Sequence, residues 1–191
     1  MSAMDGGSDD KARLRADLLA ERQARSPADL EAARAAVRRH VLEQAAGLGC
    51  VAGYQPLRTE PGSVELLAEL HSRGVSVLVP VTLPDRDLDW TEWTPGESGA
   101  LLGVEAIGRA ELVLVPALAV ARDGTRLGRG GGSYDRALTR CLTTAVVTAL
   151  VFDDEVLDWL PSDPWDVPVG AAVTPGGWLP LGRNTELGFT R

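Results

Sequence analysis

Apolar residues follow two rhythms along this chain. Leu14, Leu18 and Leu19 recur at helical spacing inside an Ala-, Leu- and Arg-rich segment from about Asp9 to Arg25, which predicts an amphipathic helix. Ser26-Pro27 interrupts it, and residues 28–46 predict a second helix. The rhythm then changes to short apolar runs at 50–54, 75–81, 112–115, 144–152 and 169–174. Runs of that length, rich in Val and Leu, are expected of strands buried on both faces. A helical segment ending near Ser72 separates the first two, so the three elements predict a β-α-β unit with parallel strands. The alternation as a whole predicts an α/β fold, a three-layer α/β/α arrangement around a mainly parallel sheet. Residues 1–8 are expected to be a disordered lead, residues 9–191 a single domain, and the tail from Gly182 a loosely packed end.

The third run opens the most informative stretch, residues 111–140. Leu112–Val115 reads as a buried strand and Asp123-Gly124 as a tight turn. Gly128, Gly130, Gly131 and Gly132 follow, and Ser133–Leu138 reads as the start of a helix with Ser133 as its N-cap. A strand, a glycine loop and a helix start make an anion site, because backbone N–H groups can approach a phosphate there. Charge changes the picture further. Residues 122–140 hold five Arg (122, 126, 129, 136 and 140) against two Asp, in a chain of net charge −8. So acidic a protein binds an anion only through a local cationic patch. The pattern is neither G-x-x-x-x-G-K-[ST], since no Lys follows the glycines, nor G-x-G-x-x-G, since position 133 is Ser. A flexible surface loop is the alternative; the arginine spacing and the flanking elements favour phosphate binding.

Composition removes several classes. A pI of about 4.8 with no basic tract argues against nucleic acid. No apolar run is long enough to span a bilayer and the first residues are polar, so neither anchor nor signal peptide is expected. Cys50 and Cys141 are far apart, which fits a reduced, cytoplasmic protein, and with His40 and His71 they have no zinc-like spacing. No nucleophile elbow is present.

Other candidates lie outside the glycine loop. Lys11 and Arg15 stand four apart on one helix face, either as solvated cations or as ligand contacts. Gln55 and Glu60 sit at the carboxyl end of the first strand, where sites in open parallel sheets gather, although Glu60 could also cap the helix after Pro61. Trp90 and Trp93 could wall a flat ligand or cover the sheet edge. Asp135, beside the glycines, either answers a helix dipole or, with the distant Asp166, holds Mg²⁺, which takes one or two carboxylates plus phosphates and water.

The stretch VPALAV…DGTRLGRGGGSYDRAL resembles the signature of 5-formyltetrahydrofolate cyclo-ligases, VPG-L-x-F-D-x-x-G-x-RLG-x-G-x-G-[YF]YDR. The likeness continues in the K-x-x-L-R of Lys11, Leu14 and Arg15, in Glu60 of Y-x-P-x-x-x-E, and in Asp166 with Val173-Thr174. It implies ATP-dependent closure of 5-formyltetrahydrofolate to 5,10-methenyltetrahydrofolate with Mg²⁺, by a monomer whose partners are small molecules. By this resemblance Lys11, Arg15, Arg126, Leu127, Gly128, Arg129, Gly130, Gly131, Gly132, Ser133 and Tyr134 bind ATP, with Arg126 and Arg129 catalytic. Gln55, Glu60, Arg129, Gly130–Gly132 and Ser133 take the folate, and Asp135 and Asp166 the metal. The chain departs from the pattern at several places. Ser133 replaces an aromatic, Val120-Ala121 replaces Phe-Asp, Trp165 stands for a His and Gly170 for an Asp, and Gly131 occupies a position where some members carry Lys. A paralogue that binds folate or nucleotide without turnover is therefore a second reading, and a dinucleotide-dependent oxidoreductase a third.

Overall fold

A computed structural model describes residues 6–97 and 99–182. Residues 1–5 of the expected lead and 183–191 of the expected loose end lie outside the described residues. The first helix, α1 (Gly6–Ala24), begins three residues before the predicted start, so part of the expected lead is helical. Helix α2 (Pro27–Gln44) follows at once. Ser26 accepts a hydrogen bond from the Asp29 amide, and Pro27 occupies the first turn, where its missing N–H is no loss.

Seven strands form the main sheet: β1 (Cys50–Ala52), β2 (Ser76–Thr82), β3 (Leu88–Glu92), β4 (Leu112–Pro116), β7 (Val146–Leu150), β9 (Ala171–Thr174) and β10 (Gly177–Pro180). Their order is β10-β9-β7-β4-β1-β2-β3. All pairs are parallel except β2/β3 and β9/β10, which close the two edges antiparallel. From β1 the chain runs outward to β2 and β3 and then returns to β4 on the other side of β1. The switch point lies between β1 and β4, and a crevice opens beyond their carboxyl ends. Two edge strands go beyond the sequence pattern. β3 sits in a segment of mixed character, and the Pro-Gly-Gly expected to end the last strand instead turns the chain into β10.

Strand alternation feeds two cores. Leu112 and Leu114 of β4 point to one face, where α2 and α3 (Val64–Ser72) bury Val37, Val41, Leu66, Leu67 and Leu70. Val113 and Val115 point to the other face, packed with Ala106 and Ile107 of a 3-10 turn (Val104–Arg109) and Ala137 and Leu138 of α4 (Ser133–Leu138). Helix on one face and helix on the other give the three layers that the sequence pattern predicts.

A second sheet of three short strands, β6-β5-β8, stands beside the end of β4. β5 (Ala119–Ala121) and β6 (Arg126–Leu127) form a hairpin, and β8 (Val156–Leu157) pairs with β5 in parallel. The expected Asp123-Gly124 turn joins the hairpin, with Thr125 N–H bonded to Asp123 Oδ1 at 2.9 Å. Helix α1 packs on this sheet through Leu18 against Leu118, Ala119, Leu127 and Leu160. The hairpin is the device the sequence did not announce. Ala119 lies opposite Leu127 and Leu118 N–H meets Leu127 C=O at 2.7 Å, so the chain is brought back to the end of β4 before the glycines begin.

Candidate active site

A cavity of about 480 Å³ opens at the carboxyl ends of β2 and β4, with Pro80, Thr82, Pro116 and Ala117 on its floor. Four separate segments supply the rest of its wall: α1 with Lys11 and Arg15, the loop after β1 with Glu60, the glycine loop from Arg126 to Asp135, and the turn Asp163–Asp166. Every residue assigned to ATP, folate or metal from the sequence lines it except Gln55. Gln55 is exposed and lies outside the lining, because β1 ends at Ala52 and the chain has left the sheet by residue 55.

The glycine loop is folded around guanidinium groups. Arg15 Nε donates to the Gly128 carbonyl at 2.9 Å. Gly130 has φ +96, and a Cβ there would sit 3.5 Å from Arg15 Cζ. At Gly128 a Cβ would come within 2.8 Å of Arg126 Nη1. A side chain at either position would strain the backbone or displace an arginine. Ser133 is not the N-cap. Gly132, in the left-handed region at φ +69, caps α4 without a side-chain hydrogen bond, and Ser133 is the first helical residue. Since α4 spans only six residues, its dipole adds little, and the positive charge at this wall comes from Arg15, Arg126 and Arg129.

Only two of the five arginines in this stretch face the cavity. Arg122 pairs with Asp158, Arg136 donates to the Asp85 carbonyl, and Arg140 pairs with Asp87. Arg140 beside it, with the Leu88 amide, holds the Asp87 carboxyl down to about 2. Arg126, in contrast, is buried at the cavity floor, with Nη2 2.9 Å from Asp135 Oδ1 and Nη1 3.4 Å from the Pro116 carbonyl. Its Nε and the buried Tyr134 hydroxyl have no hydrogen-bond partner among the described residues. Burial pushes the Tyr134 phenol well up, so it remains a donor.

Glu60 is buried and doubly held. Its Oε2 accepts from the Leu57 amide at 2.9 Å, while Oε1 faces the Arg129 guanidinium at 3.3 Å. It does not cap α3; Ser63 does, accepting from the Leu66 amide. Arg34 of α2, which sequence reasoning missed, pins the same loop by donating to the carbonyls of Leu57, Arg58 and Glu60. An exposed-looking helix arginine carries no signal of that task.

The turn Asp163–Asp166 is tied to α1. Lys11 Nζ lies 2.6 Å from Asp163 Oδ2 and 2.8 Å from Asp166 Oδ2. Burial works against the Lys11 ammonium, but the hydrogen bonds and charge of the two carboxylates outweigh it and raise its pKa above the ordinary lysine value. Asp163 was missed as well, although Asp-Pro-Trp-Asp is turn chemistry with Asp first and Pro second. Asp135 meets this turn through the Val167 amide, 3.2 Å from its Oδ1. Trp90 and Trp93 do not line the cavity; each is buried in one of the two sheet cores.

Asp135 and Asp166 are oxygen donors of the kind Mg²⁺ takes, and each is now neutralised by a cation, Arg126 or Lys11. Among the described residues no three His, Cys, Asp or Glu side chains form a ready metal cage. Two carboxylates fit a magnesium ion that arrives with a phosphate ligand and keeps its waters. No described helix is long and apolar enough to cross a membrane, and both cysteines are free.

An open, mainly parallel sheet with a cation-lined, glycine-walled cavity beyond its strand ends defines an α/β protein whose candidate site lies at the switch point. Residues 7–175 match the profile of the 5-formyltetrahydrofolate cyclo-ligase family. The chain belongs to that family of enzymes. A 5-formyltetrahydrofolate cyclo-ligase of Mycolicibacterium smegmatis is 39% identical over 181 residues, covering 86% of this chain and 93% of the relative. Two solved 5,10-methenyltetrahydrofolate synthetases share the fold. The one from Mycoplasma pneumoniae has a TM-score of 0.75 at 20% identity, covering 87% of this chain and 99% of its own. The one from Aquifex aeolicus has a TM-score of 0.69 at 24% identity, covering 93% and 96%.

Proposed function

We propose that this protein closes 5-formyltetrahydrofolate to 5,10-methenyltetrahydrofolate, using ATP and Mg²⁺ and releasing ADP and phosphate. One observation carries the reading: Lys11, Arg15, Glu60, Arg126, Arg129 and Asp135, from distant parts of the chain, border one cavity beyond the strand ends. The formamide oxygen is a poor leaving group. Transfer of the γ-phosphoryl group to it makes an iminium phosphate, nitrogen 10 attacks the formyl carbon, and the oxygen departs with phosphate. Such a reaction needs positioning and charge neutralisation more than covalent help from the protein.

Each side chain has a part in that task. Lys11, Arg15, Arg126 and Arg129 neutralise the phosphates, and the amides of the glycine loop hold them. Arg129 faces Glu60 at a long 3.3 Å, so a phosphate can draw it away at small cost. Glu60 then keeps its Leu57 amide bond and offers the freed oxygen to the N–H groups of the pterin edge. Asp135 and Asp166 would hold Mg²⁺, which supplies charge stabilisation to the transferring phosphoryl group.

The test is the gain of methenyltetrahydrofolate absorbance when enzyme, 5-formyltetrahydrofolate, ATP and Mg²⁺ are combined. We expect turnover that depends on both ATP and metal, and an Arg129→Ala variant with kcat/KM lowered about tenfold to a hundredfold, as for a lost charge-assisted hydrogen bond. A protein that binds folate and ATP yet yields no product would be a binder without turnover.

A further inference from the structure

Trp165 is the part of the cavity wall that the fold does not need. Its side chain lines the cavity and is 69% exposed, whereas Trp90 and Trp93 are buried in the cores. A large aromatic ring left in water contributes nothing to core packing. Yet the turn that presents it is closely tied. Asp166 N–H closes the turn on the Asp163 carbonyl at 3.0 Å, and Asp163 N–H meets Asp166 Oδ2 at 2.8 Å. Both carboxylates are held by Lys11, the following Val167 amide is held by Asp135, and Pro164 fixes the backbone just before the ring. The ring therefore stands on a pinned apex, so stacking a flat partner on it orders little that was mobile.

We infer that Trp165 is the stacking platform for the purine base of the bound nucleotide. The inference rests on the reading of the cavity as an ATP and folate site, and in that reading two planar rings compete for the tryptophan, the purine and the pterin. The contacts of the turn decide between them. Lys11, Asp135 and Asp166, which hold the turn in place, are the groups given to phosphate and metal. Glu60, given to the pterin, is tied instead to Leu57 and Arg129. Trp165 stands at the nucleotide side.

Binding calorimetry on the full chain tests this, with ATP, inorganic tripolyphosphate and 5-formyltetrahydrofolate as separate ligands in the presence of Mg²⁺. Trp165→Ala should weaken ATP about fivefold to a hundredfold, the range for loss of a base–aromatic stack. Tripolyphosphate, which has the charge but no base, should bind as to the parent, folate affinity should not change, and Trp165→Phe should keep most of the ATP affinity. Because the ring is exposed, the melting temperature of Trp165→Ala should match the parent. Equal losses for ATP and tripolyphosphate would mean that the turn, not the ring, was disturbed, and would overturn the assignment. A loss confined to folate would move the ring to the pterin and overturn it too. If ATP binds the parent and Trp165→Ala changes nothing, the platform alone is wrong; if ATP does not bind the parent, the reading of the cavity falls first.

Discussion

Two ion-pair networks hang from helix α1, Arg22 with Glu155 near its carboxyl end and Lys11 with Asp163 and Asp166 near its amino end. Lys11, Arg15, Leu18 and Arg22 follow one another at spacings of four, three and four, so all stand on one face of the helix. The two networks share charge types and short distances, 2.6 Å for Arg22–Glu155 and 2.6 and 2.8 Å for Lys11. They differ in access to water. The Arg22 and Glu155 side chains are 0% and 1% exposed; Lys11 is 9%, Asp166 19% and Asp163 43% exposed. Glu155 also accepts from the Phe152 amide, and Arg22 reaches the carbonyl of Ala117 on the cavity floor at 2.6 Å. The sealed pair thus locks α1 to the end of β4, and no ligand can reach it. The open network holds the 163–166 turn in place with carboxylates that water reaches. One helix carries both a structural lock and two cations that line the cavity, and solvent access separates them.

The contrast breaks most visibly at Arg22. Arg22→Ala leaves Glu155 charged, buried and short of its partner, and should cost about 3–5 kcal/mol of folding free energy in urea unfolding. Replacing both partners, Arg22→Met with Glu155→Leu, should return most of that stability, because no charge is then stranded. A single-variant loss below about 1 kcal/mol would show that the pair is not the lock described.

Lys11→Ala tests the open side. Its carboxylate partners can be rehydrated, so stability should fall by only about 1 kcal/mol. Nucleotide affinity should fall about tenfold to a hundredfold, the range for a lost charged hydrogen bond, in calorimetric titration. The opposite pattern, large destabilisation with unchanged affinity, would make Lys11 a second structural lock.

The smallest expected effect is in the pH dependence of stability. The folded-state pKa of Lys11 is raised above its ordinary 10.5. Its contribution is therefore fully present below about 10.5 and declines as pH rises through the higher folded value. The melting-temperature gap between the parent and Lys11→Met should be constant from about pH 7 to 10 and shrink above that. Asp87 behaves in the reverse sense. Its pKa is lowered from 3.8 to about 2, so the stabilisation from its Arg140 pair is present above about 4 and is lost as pH falls towards 2. A gap for Lys11→Met that widened with alkaline pH would contradict a raised lysine pKa in the folded state.

Much of the candidate site was legible because short-range chemistry marked it. The glycines of 128–132 and the arginines among them stand out against an acidic background, and the K-x-x-L-R and Asp135 positions follow from the same resemblance. What escaped was set by contacts at a distance. Arg22 and Arg34 look like any helix arginine until β4, the 153–155 turn and the loop at 57–60 come up against them. Asp163 was overlooked because its partner, Lys11, lies 152 residues away. Ser133 looked like a cap since Ser is the usual choice, but the helix begins one residue earlier than that reading: Gly132, in the left-handed region, takes the cap position and Ser133 is already helical. Gln55 seemed well placed only because β1 was read two residues too long.

By itself, the sequence determined the class of fold and the order of its main elements. Apolar periodicity and buried runs are properties of neighbouring residues, and a β-α-β unit admits few topologies. It also marked the residue types that line the cavity, the glycines and arginines of 126–132. Only the tertiary structure decided which cations would face the cavity. Of five arginines between 122 and 140, three pair on other surfaces, and the β5–β6 hairpin brings Arg126 and Arg129 to the cavity. It decided, too, that Arg22 and Glu155 would both be sealed while the carboxylate partners of Lys11 stay open to water. Burial belongs to the packed chain: the energy of a charge depends on how much water its neighbours leave it, and no local pattern of residues states that.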